Sequence, residues 1–331
     1  MNPVGRSALF RRDAGDSGPV VVPMVAANHA ARIAGISVRE VVTDAGALVS
    51  ALHAAYRRYE YDGIVVFTDT VVEAEAMGCR VQIPADDDPY LVESPTARRL
   101  EPVDPEEVGR MPVVLAAIRR LVELTGGLVP VLGSLKGPFS LASFLAGPDR
   151  FFADLLERPD RARETLLVAT DNQRWYQSAI IRAGGLPFIG DPVASGSMIS
   201  PEMFREFAWP YIARLVEDAH ALGVPVGLHV CGDTTSMLGH MRDTGSDFVS
   251  IDDIDIARAR RDLGANTTIM GNVSTRLLLE GAPEQVRRAA ERCLELALPR
   301  LILSSACDVA PDTPEANVKA LVQAAREWGR E

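Results

Sequence analysis

The stretch Pro225-Val226-Gly227-Leu228-His229-Val230-Cys231-Gly232-Asp233 reads as one complete unit of a larger pattern. Its apolar, partly β-branched run Pro225–Val230 is what a strand buried on both faces looks like. The run ends in an imidazole and a thiol, and Gly232 then breaks it. Working outward, seven other runs share this character: Pro19–Val25, Gly63–Asp69, Leu128–Leu135, Pro187–Val193, Asp247–Asp252, Thr267–Val273 and Arg300–Ala306. Helical periodicity lies between them, at Asp44–Tyr59, Pro105–Leu124, Arg158–Ala183, Ser200–Leu222 and Pro314–Trp328. Ser200-Pro201 and Asp312-Thr313-Pro314 are start signals, a cap residue followed by a proline in the first turn.

Eight strands alternating with helices predict an α/β fold, a single (β/α)8 TIM barrel over residues 1–331, with an N-terminal extension and an insertion after strand two. A doubly wound sheet would want a glycine-rich loop after its first strand, and Met24-Val25-Ala26-Ala27-Asn28-His29 is not one. The insertion spans Thr70 to Gly127. Its acidic, proline-rich part, Pro84–Pro95, is expected over the barrel mouth.

Composition narrows the function classes. The 331 residues are 47% hydrophobic and 24% charged, an ordinary globular balance. A net charge of -11, from 45 acidic and 34 basic residues, argues against nucleic-acid binding. The start lacks the apolar core of a signal peptide, and no run is long enough to span a bilayer. Four cysteines, Cys79, Cys231, Cys293 and Cys307, are no disulfide framework in a chain this long. A cytoplasmic location is the expectation, and a homo-oligomer is compatible with the sequence.

In a strand, residues two apart share a face, so His229 and Cys231 point the same way at the C-terminal end of strand five. Barrel enzymes place their chemistry at that end. Cys307 holds the equivalent place after strand eight, in Ser305-Ala306-Cys307-Asp308. One imidazole and two thiols suit a catalytic zinc with its fourth position open. The competing reading is a buried cysteine pair with a hydrogen-bonded histidine, since free cysteine is among the most buried residue types.

Other strand ends carry polar groups. Asp69, Glu73 and Asp191 are the candidate catalytic carboxylates, and Asp69 or Glu73 would fill the zinc's resting fourth position or orient a ligand. Asp252 (with Asp253 beside it), Asn272 and His29 are the candidate cofactor-contacting groups at the same rim. For any single carboxylate a helix cap is the simpler role. Asp218-Ala219-His220-Ala221-Leu222-Gly223 matches the Asp-x-His-x-x-Gly motif of corrinoid-binding domains. Here it closes a helix, with Gly223 as its C-terminal stop, and is read as coincidence. His53, His240 and Cys293 fall in helical patterns and Cys79 in a turn.

His229-Val230-Cys231-Gly232-Asp233-Thr234-Thr235, Ser250-Ile251-Asp252, Met270-Gly271-Asn272-Val273 and Cys307-Asp308-Val309-Ala310-Pro311-Asp312-Thr313-Pro314 resemble the uroporphyrinogen decarboxylase superfamily. More narrowly they resemble its zinc-dependent, corrinoid-linked methyltransferase branch, which includes methylcobalamin:coenzyme M methyltransferases. Thr70–Gly78 is also similar to that branch, and the similarity runs from about Pro19 to Ala325.

The resemblance implies zinc on His229, Cys231 and Cys307. It also implies a corrinoid co-substrate, as free cobalamin or on a corrinoid protein, and a small-molecule methyl donor or acceptor. No corrinoid domain is apparent in the chain. The decarboxylase proper resembles it less: its first loop supplies several arginines, whereas Met24–Gly35 offers only Arg32, although Asp69 matches its central aspartate. A decarboxylase, and a non-enzymatic zinc-binding partner of a corrinoid protein, are the alternatives.

Overall fold

A computed structural model describes residues 9, 18–95, 100–252 and 254–329. The expected N-terminal extension lies almost wholly outside these residues, as does Asp253. Ten strands occur among them: β1 (Val20–Val21), β2 (Ile64–Val66), β3 (Arg80–Gln82), β4 (Tyr90–Glu93), β5 (Val131–Lys136), β6 (Leu186–Gly190), β7 (Gly227–His229), β8 (Phe248–Ser250), β9 (Thr268–Val273) and β10 (Leu301–Ser305). Eight of them form one parallel sheet in the order β1-β10-β9-β8-β7-β6-β5-β2, wrapped by helices as a (β/α)8 barrel. Each falls within or beside a run expected from the sequence.

The sheet closes without a ladder between β1 and β2. There Asp62 donates its N–H to the Val21 carbonyl at 2.8 Å, and its carboxylate accepts the Val21 N–H at 2.8 Å. Arg326, from the last helix, grips the same carboxylate at 2.7 and 3.0 Å. Higher up, Ala27 N–H reaches the Phe67 carbonyl at 3.1 Å.

The barrel interior is filled by side chains of unequal size. Register places Phe188, Gly227 and Phe248 side by side on β6, β7 and β8. The two phenyl rings meet over the glycine, centroids 5.7 Å apart. A Cβ on Gly227 would lie 2.1 Å from the Phe248 ring, so only glycine lets the rings meet. This layer is the floor beneath His229.

Three expectations shift in detail. The helix expected at Ser200–Leu222 is two, Pro201–Phe207 and Trp209–Ala221, because Pro210 cannot donate into a continuous turn. Ser200 caps the first, accepting the Met203 N–H at 3.2 Å. The last helix, Glu315–Glu327, starts at Pro314 without a side-chain cap, since Asp312 turns to Arg32 at 3.0 Å. The helix expected from Pro105 begins at Met111, because Arg110 is drawn inward to the carboxylates described below. The insertion carries this helix, a short one at Val72–Ala76 and the antiparallel β3–β4 hairpin.

Candidate metal centre

His229 ends β7, Cys231 follows two residues on, and Cys307 lies two residues past β10. The ladders β7–β8, β8–β9 and β9–β10 fix the arc between them. Across it His229 Nε2 lies 3.2 Å from Cys231 Sγ and 3.6 Å from Cys307 Sγ, and the two sulfurs are 3.9 Å apart. Tetrahedral zinc, with Zn–S about 2.3 Å and Zn–N about 2.0–2.1 Å, separates S from S by about 3.8 Å and N from S by about 3.6 Å. The triangle has the dimensions of one face of such a site.

The surroundings hold each corner. Ser250 stands beside His229 in register and its Oγ lies 3.0 Å from Nδ1, leaving Nε2 to face the sulfurs. Ser195 Oγ donates to the Cys231 carbonyl at 2.8 Å, and Gly232 N–H donates to Asp252 Oδ2 at 2.7 Å. Asn272 Nδ2 donates to the Asp252 and Ile254 carbonyls at 2.9 and 2.7 Å. The contact between the two thiols splits their acidities: hydrogen bonding to Cys307 lowers the pKa of Cys231, and the same contact with burial pushes Cys307 up.

The triangle opens into a cavity of about 260 Å³. Met24, Val65, Phe67 and Phe188 supply its apolar wall, and Asp69, Asp88, Lys136 and Asp308 its charges. Lys136, buried at the end of β5, lays its ammonium 4.8 Å from the centre of the Phe67 ring.

The candidate carboxylates are engaged elsewhere. Asp69 lines the cavity, but both its oxygens are held by the buried Arg110 guanidinium, and Oδ1 also accepts the Val71 N–H at 3.0 Å. Arg110 Nε binds Glu75 at 2.6 Å. Glu73 sits behind the wall, accepting the Lys136 N–H at 2.7 Å and the Gln173 amide at 3.2 Å; burial raises its pKa. Asp191 caps the helix Pro138–Ala146, accepting from Ser140 N at 2.8 Å and Ser140 Oγ at 2.5 Å. Burial pushes its pKa up to about 6.

Gly137 makes room for the Asp191 cap, since a Cβ there would fall 2.1 Å from the carboxylate carbon. Gly137→Ala should therefore destabilise the fold by about 1–3 kcal/mol, the usual cost of overpacking, read as a lower urea midpoint. An unchanged midpoint would contradict this placement.

Asp252 and Asn272 line a neighbouring groove with Gly232 and Ala306 rather than the cavity. His29 is placed differently from the expected rim. It is 1% exposed inside the helix Ala27–Ala34, with Nε2 2.8 Å from Tyr59 Oη and Nδ1 3.1 Å from the Ala310 carbonyl, and burial lowers its pKa. It ties down the segment that follows Cys307. His220 ends its helix and bonds Asp247 at 2.9 Å, while Asp218 pairs with Arg174, which agrees with reading that motif as coincidence. Lys136 and Arg110 are the residues sequence reading passed over. Lys136 had a signal, a lysine ending a buried strand; Arg110 had none.

Comparison with known proteins gives a consistent answer. The family model for uroporphyrinogen decarboxylase (URO-D) matches residues 7–328. A methylcobamide:CoM methyltransferase, MtaA, of Methanosarcina barkeri is 31% identical over 287 residues, covering 83% of this chain and 83% of that protein. A methylated-thiol–coenzyme M methyltransferase of Methanosarcina mazei is 32% identical over 265 residues, covering 78% and 71%. Among solved structures, a methyltransferase from Methanosarcina mazei superposes with a TM-score of 0.87 at 27% identity, covering 98% of this chain and 97% of that one.

Proposed function

The chain belongs to the uroporphyrinogen decarboxylase (URO-D) family, whose members are enzymes, and on that premise we propose that it is a zinc-dependent methyltransferase. It moves a methyl group between a corrinoid, free or on a partner protein, and a small sulfur or methyl-ether substrate. The observation that carries this reading is the His229–Cys231–Cys307 triangle, whose sides of 3.2, 3.6 and 3.9 Å match a tetrahedral zinc face. The named relatives that act on methylcobamide and on methylated thiols support it.

His229 Nε2 and the sulfurs of Cys231 and Cys307 would hold the metal, with both thiols deprotonated as its ligands. Bound there, zinc supplies Lewis acidity, which makes a substrate thiol available as thiolate near neutral pH. Ser250 keeps the imidazole in the ligating orientation. Met24, Val65, Phe67 and Phe188 keep water from the sulfur. In one direction a sulfur–carbon bond forms as the carbon–cobalt bond of the methylcorrinoid breaks, with the electron pair leaving on cobalt. In the other, the substrate's bond from sulfur or oxygen to the methyl carbon breaks with its electron pair staying on sulfur or oxygen, as a carbon–cobalt bond forms to cobalt(I).

A decarboxylase acting on a tetrapyrrole polyacid fits the cavity poorly. Among the described residues its lining offers one cation, Lys136, against Asp69, Asp88 and Asp308, and Arg110 occupies Asp69.

Metal analysis followed by the visible spectrum of methylcobalamin with a panel of thiols tests the proposal. About one zinc per chain and thiol-dependent loss of the methylcobalamin spectrum are expected. Full turnover by metal-free protein would sink the mechanism, and bound zinc with no transfer from any donor would favour the non-enzymatic partner. Ser250→Ala should weaken zinc binding by roughly 10–100-fold, measured by competition with a chromogenic chelator. An unchanged affinity would remove Ser250 from the site.

A further inference from the structure

Two groups in the cavity have no part in the methyl transfer just described. The first is the Lys136 ammonium. It is 4% exposed, and among the described residues it has an aromatic face for company but no hydrogen bond or ion pair. Glu73 and Asp191 share its field from within the protein, but their oxygens bond other groups, Glu73 the Gln173 amide and the Lys136 N–H, Asp191 the Ser140 cap. A lysine is rarely buried without a partner, and the cavity is the side from which one can come.

The second group lies three strands round the barrel, past β10. Asp308 lines the cavity with its Oδ1 buried and, among the described residues, without a hydrogen-bond partner. Asn28 Oδ1 is buried and unpartnered in the same way, while Asn28 Nδ2 donates to Asp88 Oδ1 at 2.6 Å. Asp88, from the β3–β4 hairpin, lines the same cavity. Of these, Asp308 Oδ1 is the open oxygen on the cavity wall, with the Asp88 carboxylate beside it on the lining.

The geometry points to a substrate of two opposite charges, an α-amino-acid thiol or its S-methyl form, whose acid group meets Lys136 and whose ammonium meets Asp308 and Asp88. This assignment rests on reading the triangle as the metal site for sulfur. A zwitterion answers both walls at once and enters without net charge, which limits the desolvation cost that burying a lone ion carries.

Four thiols of similar reach separate the charges: homocysteine, 4-mercaptobutyrate, 3-mercaptopropylamine and 1-propanethiol. With zinc-loaded protein and methylcobalamin, each charge should improve KM by roughly tenfold to a hundredfold, the range of a hydrogen bond to a charged group. In Lys136→Gln the advantage of the acid-bearing thiols over their acid-free counterparts should fall to about one. In Asp88→Asn the advantage of the amine-bearing thiols should shrink.

A calorimetric titration with 2-aminobutyrate, which carries both charges but no sulfur, reads the charge sites without turnover. It should bind the parent protein and not Lys136→Gln. If 4-mercaptobutyrate serves as well as homocysteine, the ammonium site is overturned. If all four thiols react alike, the whole assignment falls and methyl transfer stands. If none reacts yet 2-aminobutyrate binds in a Lys136-dependent way, the charge sites stand and the transfer reading falls.

Discussion

Replacing Cys307 with serine should strip the protein of zinc and of nearly all turnover. The side chain sits 3.9 Å from Cys231 Sγ and 3.6 Å from His229 Nε2, so its sulfur completes the triangle. Serine keeps the shape but offers a hydroxyl that does not ionise near neutral pH, in place of a soft thiolate. Loss of a ligand should exceed the 10–100-fold that a supporting residue costs in affinity. A metal acting as Lewis acid supplies several kcal/mol to the reaction, so turnover should fall on the order of 10³-fold. His229→Ala should behave alike. Zinc analysis after dialysis and the methylcobalamin assay check both. A Cys307→Ser protein that retains zinc and full activity would reduce the triangle to a buried cysteine pair with a hydrogen-bonded histidine.

The second large effect concerns folding. Arg110→Met should destabilise the protein by about 3–5 kcal/mol, the cost of leaving a buried carboxylate without its partner. Asp69 has a fully buried side chain, and Arg110 is its cation as well as that of Glu75. The double variant Asp69→Leu with Arg110→Met removes the stranded charge and should recover part of the loss. Urea denaturation with unchanged slope reads both. A loss below about 1 kcal/mol in the single variant would mean that the ion pair is not what holds the inserted segment to the barrel.

These two predictions fall on opposite sides of what was legible in the sequence. The barrel was legible because its signals are local: each strand is a short apolar run, and helical periodicity follows most of them. The His229–Cys231–Cys307 triangle was legible because strand parity aligns His229 with Cys231 and the strand count brings Cys307 alongside. Arg110 was not, since nothing in its own neighbourhood marks it and its partner lies 41 residues away. Asp191 and Glu73 stood at the right strand end but became a cap and a wall support, because an interior carboxylate is claimed by whichever N–H groups lie nearest. His29 shows the same limit: position after a strand predicted a rim, and the helix it begins turned the ring inward.

The missing ladder between β1 and β2 has a dynamic consequence. Amide hydrogens of Val21 and Val22 rely on the Asp62 carboxylate and on β10, so this seam is the thinnest line in the barrel wall. Solvent deuterium should enter there before it enters the unbroken arc from β7 to β10. The strands that carry His229 and Cys307 bound that arc, so the barrel can breathe at its seam while the distance between these two residues stays set.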